Sequence, residues 1–484
     1  MTQKRLVCIL IIAFIMLQTV MAYGTSTTSK YTGSSYDHAQ RFDNMLILDG
    51  LDVSGWNENI DWNKVKADGI DFVIVRIAGR GYGPAGNMYH DGEFTKHFKG
   101  AKDAGLMVGG YFFSQAITTA EAIAEVQFAK DTLAAYKVNL SDFDLPIFMD
   151  REYNRGQGYR LEAAKLSKEA EAAIELAFCD EVKKLGADAG VYANTTYLNN
   201  NTNAQELLNK GYTVWVAQYY GKCEYEKTDY SLWQYTSSGK VSGYSGNLDT
   251  NFWYFNKSLE ASEGLSTDIN SFTATSTNSI MLESPPGTEI TLKSGETSLV
   301  KDRDYKVIGY LDNDKEGTAY AIVRGIGNYH GYRAIPFQVT VKGNLNSPTY
   351  KIDTYITGIS VSTTVATASG NFTVEEGFSV KIVDKAGNDV SASSPVATGM
   401  KVAIYDDSNN ALVRSYPIVV KADVNGDGVI KATDYMKIKN HIMSASQHLT
   451  NEYALAADVN GDGLIKATDY MKIKNHIMGV SQIS

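Results

Sequence analysis

Residues Asp423 to Met443 and Asp458 to Met478 are the same sequence, 35 residues apart, except that Val429 in the first copy is Leu464 in the second. A duplication this faithful requires each copy to be one unit of a two-fold module. Each copy opens Asp-Val-Asn-Gly-Asp-Gly and reaches a carboxylate, Asp434 or Asp469, at its twelfth position. Calcium takes about six to eight oxygen ligands. Asp423, Asn425 and Asp427 offer side-chain oxygens, Val429 a main-chain carbonyl, and Asp434 the closing carboxylate. Gly428 permits the sharp turn that brings both halves onto one ion. Asp458, Asn460, Asp462, Leu464 and Asp469 repeat the set. Two structural calcium ions are therefore expected, each loop followed by an amphipathic helix, Tyr435 to Met443 or Tyr470 to Met478.

The rest of the chain is too long for one core. At 484 residues and about 150 residues per domain it divides into three or four. Between 46 and 257, β-rich runs (72–75, 107–113, 145–149, 189–192, 214–217) alternate with helical stretches at 93–104, 119–135 and 161–185. That alternation predicts a parallel α/β fold, a TIM-like barrel being the natural candidate. From 262 to 420 helical periodicity is replaced by short strands between turn signals such as Pro285-Pro286-Gly287. Two β-sandwich-like modules are expected, at 262–343 and 348–420. The first loosely resembles Ig-like modules of bacterial surface proteins. The chain is thus read as multidomain: an irregular α/β barrel, all-β modules, and a small α-helical calcium-binding module at 421–484.

The N-terminus reads as a signal peptide over 1–22. Lys4 and Arg5 precede an apolar run from Leu6 to Val20, and Val20-Met21-Ala22 offers a cleavage site. The alternative is an uncleaved anchor, but a span needs about 20 apolar residues and this run is shorter. Residues 23–45, rich in Ser and Thr at their start, read as a flexible linker. Removing the signal moves the formal charge from −10 to −12, so nothing favours nucleic acid as a partner. A secreted, extracellular protein with no membrane segment after signal removal is expected. Cys179 and Cys223 then remain, read as separate buried thiols with a disulfide as the alternative.

Four acids stand out in the α/β segment: Asp52, Asp150, Glu152 and Asp249. Pro146 to Glu152 is an apolar strand ending in Asp-Arg-Glu. Side chains two apart on a strand share a face at roughly 6–7 Å, a spacing suited to glycosidic cleavage. Arg151 between them points the other way, so it should not neutralise the pair.

These acids sit in a longer pattern. It runs through Leu51-Asp52-Val53-Ser54-Gly55-Trp56, Ile60-Asp61-Trp62, the stretch 105–116, Pro146 to Glu152 and Gly190-Val191-Tyr192-Ala193-Asn194. It continues through 214–219, Leu232-Trp233-Gln234-Tyr235 and Asn247-Leu248-Asp249-Thr250-Asn251. Taken together the segment resembles the family 25 glycoside hydrolases, the Chalaropsis-type lysozymes. The resemblance implies an irregular eight-stranded barrel that cleaves the β-1,4 bond between N-acetylmuramic acid and N-acetylglucosamine in peptidoglycan, with no catalytic cofactor. It implies Glu152 as general acid and Asp150 as the group that orients a substrate acetamide acting as internal nucleophile. Asp52 and Asp249 would hold water or support positive charge, in either assignment. Tyr111, Tyr192, Trp215, Tyr219, Trp233 and Gln234 are candidates for lining the cleft. Arg151 departs from the apolar or aromatic residue common there, and Ala78-Gly79-Arg80 stands where some relatives carry Thr-Glu-Gly.

Residues 421–484 resemble the type I dockerins, with a helix after each loop but none before it. That resemblance implies a cohesin module on a scaffold protein or cell surface as partner. Ala432, Thr433, Ala467 and Thr468, at loop positions ten and eleven, would contact it. A family 18 chitinase is disfavoured, because that family needs an Asp where Phe148 stands. A scaffold protein would carry several cohesins, whereas this chain carries one dockerin. A non-catalytic wall-binding protein on the same fold is the remaining alternative.

Overall fold

The computed structural model describes residues 23–153, 159–225, 227–281, 285–443 and 448–483. The expected signal peptide at 1–22 lies outside the described residues, among which no helix is long and apolar enough to cross a membrane. Contacts divide the chain into two units. One is Met1–Thr275 with Ile290–Gly309 and Ala321–Pro336; the other is Ser276–Glu289 with Tyr310–Tyr320 and Phe337–Ser484. The β module expected at 262–343 is therefore shared between the units.

The first unit is organised by eight strands: β1 (Met45–Val53), β2 (Phe72–Arg80), β3 (Met107–Ser114), β4 (Ile147–Arg151), β5 (Ala189–Asn194), β6 (Thr213–Ala217), β7 (Leu232–Gly239) and β8 (Leu248–Asn256). Neighbours pair in parallel from β1 to β7. Strand β8 runs antiparallel to both β7 and β1 and closes the ring. Apolar runs such as Phe72 to Val75 are wholly buried, as strands covered on both faces require. Helices α1 (Phe94–Asp103), α2 (Thr119–Ala135) and α3 (Lys168–Lys184) pack outside. The helix expected over 161–185 is broken. Arg160–Ala164 ends at Lys165, which has φ +45°, and Ser167 restarts the helix by accepting the Ala170 N–H at 3.2 Å.

Residues 23–45 are not a linker. Tyr23–Thr28 pairs antiparallel with Ser35–Ala39, and buried Tyr36, His38, Ala39 and Phe42 join the aromatic cluster of Trp233, Tyr235, Phe252 and Tyr254. His38 bridges Tyr254 and Thr27, each at 2.9 Å. The Ser/Thr-rich composition masked aromatics two residues apart, the spacing of a half-buried strand. At the other end of the barrel, Arg324 and the Tyr332 hydroxyl both donate to Asp188, just before β5, at 2.7 and 2.9 Å. Segments of the β module thus brace the end remote from the strand C-termini. Cys179 and Cys223 are both buried and free.

In the second unit, β9 (Ile356–Ile359), β10 (Phe378–Val383), β11 (Lys401–Asp406) and β12 (Leu412–Val420) form a sheet in the order β9-β12-β11-β10. Its core gathers Ile356, Val402, Ile404, Val413 and Ile418. Helices α4 (Ala432–Met443), α5 (Asn451–Ala457) and α6 (Ala467–Ile477) follow, around Val424, Ile438, Val459 and Ile473. The helices after the loops start three residues before the expected Tyr435 and Tyr470, because Asp434 and Asp469 lie inside their first turns. Helix α5 precedes the second loop, where no helix was anticipated.

Gly50 faces Phe72 across β1 and β2, and a Cβ there would come within 2.2 Å of Phe72 Cζ. Gly50→Ala should lower stability by about 1–3 kcal/mol, read as a drop in melting temperature. An unchanged melting temperature would contradict this packing.

Candidate functional site

Parallel strands end together, so the C-terminal residues of β1 to β7 form one rim. Asp52 is the penultimate residue of β1 and Asp150 that of β4. Because β8 runs the other way, its second residue, Asp249, reaches the same rim, directly opposite Asp52. Glu152 follows the end of β4. Asp52 and Asp150 are buried, and Glu152 and Asp249 are half-buried. The structure thus brings all four acids to one end of the barrel.

Neutral donors hold Asp52. Gln234 Nε2 and Asn251 Nδ2 each donate to Asp52 Oδ2 at 2.8 Å. Gln234 in turn accepts from Tyr192 (2.8 Å) and Tyr219 (2.7 Å), and Asn251 accepts from Trp215 Nε1 at 2.8 Å. Asp150 is held less well: its Oδ1 is buried with no hydrogen-bond partner among the described residues.

Burial raises the proton affinity of all four, because a charged carboxylate loses water there. Asp52 is pushed up to about 6, the Asn251 and Gln234 amides pulling against burial. Asp249 is pushed up to about 8 by burial and then by the charges of Asp52 and Glu152. Glu152 is raised by burial and by Asp52. Asp150 is raised by burial, Glu152 and Asp52, with Arg76 and Arg151 opposing. All four are therefore shifted toward their protonated forms.

A cleft of about 430 Å³ opens beside it, lined by Glu152, Tyr153, Tyr192, Asn194, Tyr219 and Tyr220 among others. Tyr192 and Tyr219 thus line this cleft. Tyr111 is buried among Arg76, Asp52 and Asp150. Trp215 lies beneath Tyr192, ring centres 4.5 Å apart, and donates to Asn251. Trp233 does not line the cleft. It is wholly buried against Tyr36 and Phe252 outside the barrel, its Nε1 donating to the Gln218 carbonyl at 2.8 Å. Its neighbour Gln234 points inward, so strand parity puts Trp233 on the opposite face. Sequence reasoning missed Asn251, although it shares a strand face with Asp249. Trp56 stands 84% exposed just past the end of β1.

In the C-terminal module Asp423, Asp434 and Asp469 are buried and Asp458 is half-buried. Asp423 accepts the Gly426, Asp427 and Gly428 amides, with Gly426 and Gly428 at φ +76° and +78°. The second loop repeats this: Asp458 accepts from Gly461, Asp462 and Gly463. Among the described residues no three His, Cys, Asp or Glu side chains gather as ligands; Asn and main-chain oxygens must complete each set. One contact breaks the symmetry: Thr398 N–H donates to Asp423 Oδ2 at 2.8 Å. Ala432, Thr433, Ala467 and Thr468 are exposed, and Asn425 and Asn460 donate to Thr433 and Thr468 at 3.0 and 3.2 Å.

A carboxyl raised to about 8 when folded, from near 4 unfolded, withdraws stability as pH climbs between those values. Asp249→Asn should therefore match the parent's melting temperature at pH 4 and exceed it at pH 8, by about 2–4 °C for each kcal/mol of repulsion relieved. A gain equal at both pH values would contradict the crowding.

Residues 51–244 match the family model described as glycosyl hydrolases family 25, and residues 421–478 that of the dockerin type I domain. The chain is 25% identical over 202 residues to an autolytic lysozyme of Clostridium acetobutylicum, covering 42% of this chain and 54% of that protein. It is 23% identical over 209 residues to lysozyme M1 of Streptomyces globisporus, covering 42% and 67%. The chain thus spans about half the length of the first of these relatives. The crystal structure of a bacterial lysozyme from Streptomyces coelicolor shares 24% identity over 43% of this chain and 91% of its own, with a TM-score of 0.35. The modular autolysin LytC from Streptococcus pneumoniae, in complex with a synthetic peptidoglycan ligand, shares 24% over 47% and 52%, with a TM-score of 0.38. By the family models the chain carries a glycosyl hydrolases family 25 domain at 51–244, which holds Asp52, Asp150 and Glu152 with Asp249 five residues beyond it, and a type I dockerin domain at 421–478.

Proposed function

We propose that the chain is a secreted peptidoglycan hydrolase that cuts the β-1,4 bond between N-acetylmuramic acid and N-acetylglucosamine, and that its dockerin attaches it to a cohesin-bearing scaffold. The observation that carries this reading is Glu152, half-buried on a cleft beside three other carboxyls, its own burial and the charge of Asp52 raising its proton affinity. Such a group can protonate a glycosidic oxygen near neutral pH.

In this reading Glu152 gives its proton to the departing oxygen while the substrate's own acetamide oxygen attacks the anomeric carbon, the substrate-assisted variant of retaining hydrolysis. Asp150 Oδ1 accepts the acetamide N–H and turns its oxygen toward that carbon. Asp52, with two amides favouring its anion, supports the positive charge. Asp249 holds the water that opens the intermediate, and Glu152 takes that water's proton back. Tyr192 and Tyr219 present rings to the sugar.

The loop residues suit calcium: the donors are all oxygens, the glycines make the required turns, and Asp423 and Asp434 are buried among N–H donors. Asp423, Asn425, Asp427, Val429 and Asp434 would hold one ion, and Asp458, Asn460, Asp462, Leu464 and Asp469 the other. Bound calcium supplies structural cross-linking. Ala432, Thr433, Ala467 and Thr468 would meet the cohesin, and the near-identical halves allow two binding orientations.

Mass spectrometry of digested peptidoglycan should show muramic acid at new reducing ends, and Glu152→Gln should lower the rate at least about 100-fold. Reducing-end glucosamine or cut peptides would contradict the reading. Chelation should lower the melting temperature of the C-terminal unit. Asp423→Ala should cost about 1–3 kcal/mol more than Asp458→Ala, because only Asp423 also receives Thr398. Equal costs would contradict that asymmetry.

A further inference from the structure

Glu152 stands one residue past the end of β4, where sheet hydrogen bonds no longer fix the main chain. Its two sequence neighbours are nevertheless tied to one carboxylate on α3, Glu171. Arg151 Nη2 donates to Glu171 Oε2 at 2.5 Å, and the Tyr197 hydroxyl donates to the same oxygen at 2.8 Å. The Tyr153 hydroxyl donates to Oε1 at 2.6 Å. The side chains of Arg151 and Glu171 are fully buried. Arg151 Nη1 also donates to the Ala116 carbonyl at 2.9 Å, and Gln115 Nε2 to the Glu152 carbonyl at 3.3 Å. Tyr153 lines the cleft together with Glu152.

We infer that Glu171 is a positioning residue for the proton donor: by compensating Arg151 and anchoring Tyr153 it fixes where Glu152 points and how firmly it keeps its proton. This rests on the muramidase reading above. The other carboxyls facing Arg151 do not replace Glu171. Glu125, reached through Ser114, is already paired with Arg80 at 2.6 Å. Glu175 is pushed up to about 8 by burial and so carries little charge at neutral pH. Asp150 prefers its protonated form. Uncompensated, the guanidinium would act on the rim, where Asp52, Asp150, Asp249, Tyr192 and Tyr219 surround Glu152, and would draw the proton off Glu152 at lower pH.

The test uses the full chain on soluble glycan strands. Glu171→Gln should lower kcat roughly tenfold with little change in KM, as a misplaced acid does. It should also move the alkaline limb of the rate profile down by about one pH unit. The double variant Arg151→Met/Glu171→Met, which removes both charges, should return that limb to the parent's position while kcat stays low. Tyr153→Phe should lower kcat by a smaller factor and leave the limb in place. A folded Glu171→Gln with parental kcat and pH profile overturns the inference. Where Glu171→Gln does not fold, Tyr153→Phe decides: parental kcat overturns the inference and a lowered kcat supports it. Parental activity in Glu152→Gln overturns the muramidase reading itself, an outcome distinct from either.

Discussion

Four carboxyl groups at a rim that water reaches poorly cannot all ionise, because each anion loses hydration and repels the others. The arrangement is tolerable only because protons stay on some members and neutral amides serve another. Gln234 and Asn251 both donate to Asp52, which favours its anion against the cost of burial. Each charge placed there raises the cost of the next, so Asp249 is pushed up to about 8 and Glu152 is raised above its ordinary value. A carboxylic acid with raised proton affinity at the rim follows from this crowding, and the proposed proton transfer from Glu152 rests on it.

The barrel makes the crowding possible by register. Seven parallel strands bring their C-termini to one rim, and β8 delivers Asp249 from its N-terminal end because it runs the other way. The opposite rim carries the burden of cohesion, with Arg324 and Tyr332 converging on Asp188. Arg151 is the exception inside this order. It is fully buried, and the fold answers it with Glu171, Tyr197 and the Ala116 carbonyl. Arg80, at another departure from the family pattern, is answered similarly by Glu125.

What could be read from the sequence depended on whether the information was local. Asp150 was legible as the end of an apolar strand, and Asp52 and Asp249 because each sits in a distinctive motif; Glu152 lies just past the strand expected to carry it, where period two no longer fixes its direction. Trp233 was misplaced although the same period-two rule, applied to Gln234, would have turned it outward. Asn251 was missed although parity with Asp249 puts it on the inner face. The hairpin at 23–39 was hidden by composition, since Ser and Thr suit strands as well as linkers. Glu171 left no trace: its partners lie on β4, in the segment after it and at Tyr197, and no local pattern links them. The same holds for Thr398, whose amide distinguishes two calcium loops that are otherwise nearly identical in sequence.

The central claim is that Glu152 holds its proton above the range of an ordinary glutamate because of where it is buried. Carbon-13 NMR titration of the Glu152 side-chain carboxyl in the substrate-free protein, assigned by comparison with Glu152→Gln, measures this directly. The account predicts a midpoint clearly above the usual value of about 4.3, falling when Asp52 is replaced by Asn. A midpoint at or below the usual value, or one indifferent to Asp52, would contradict it.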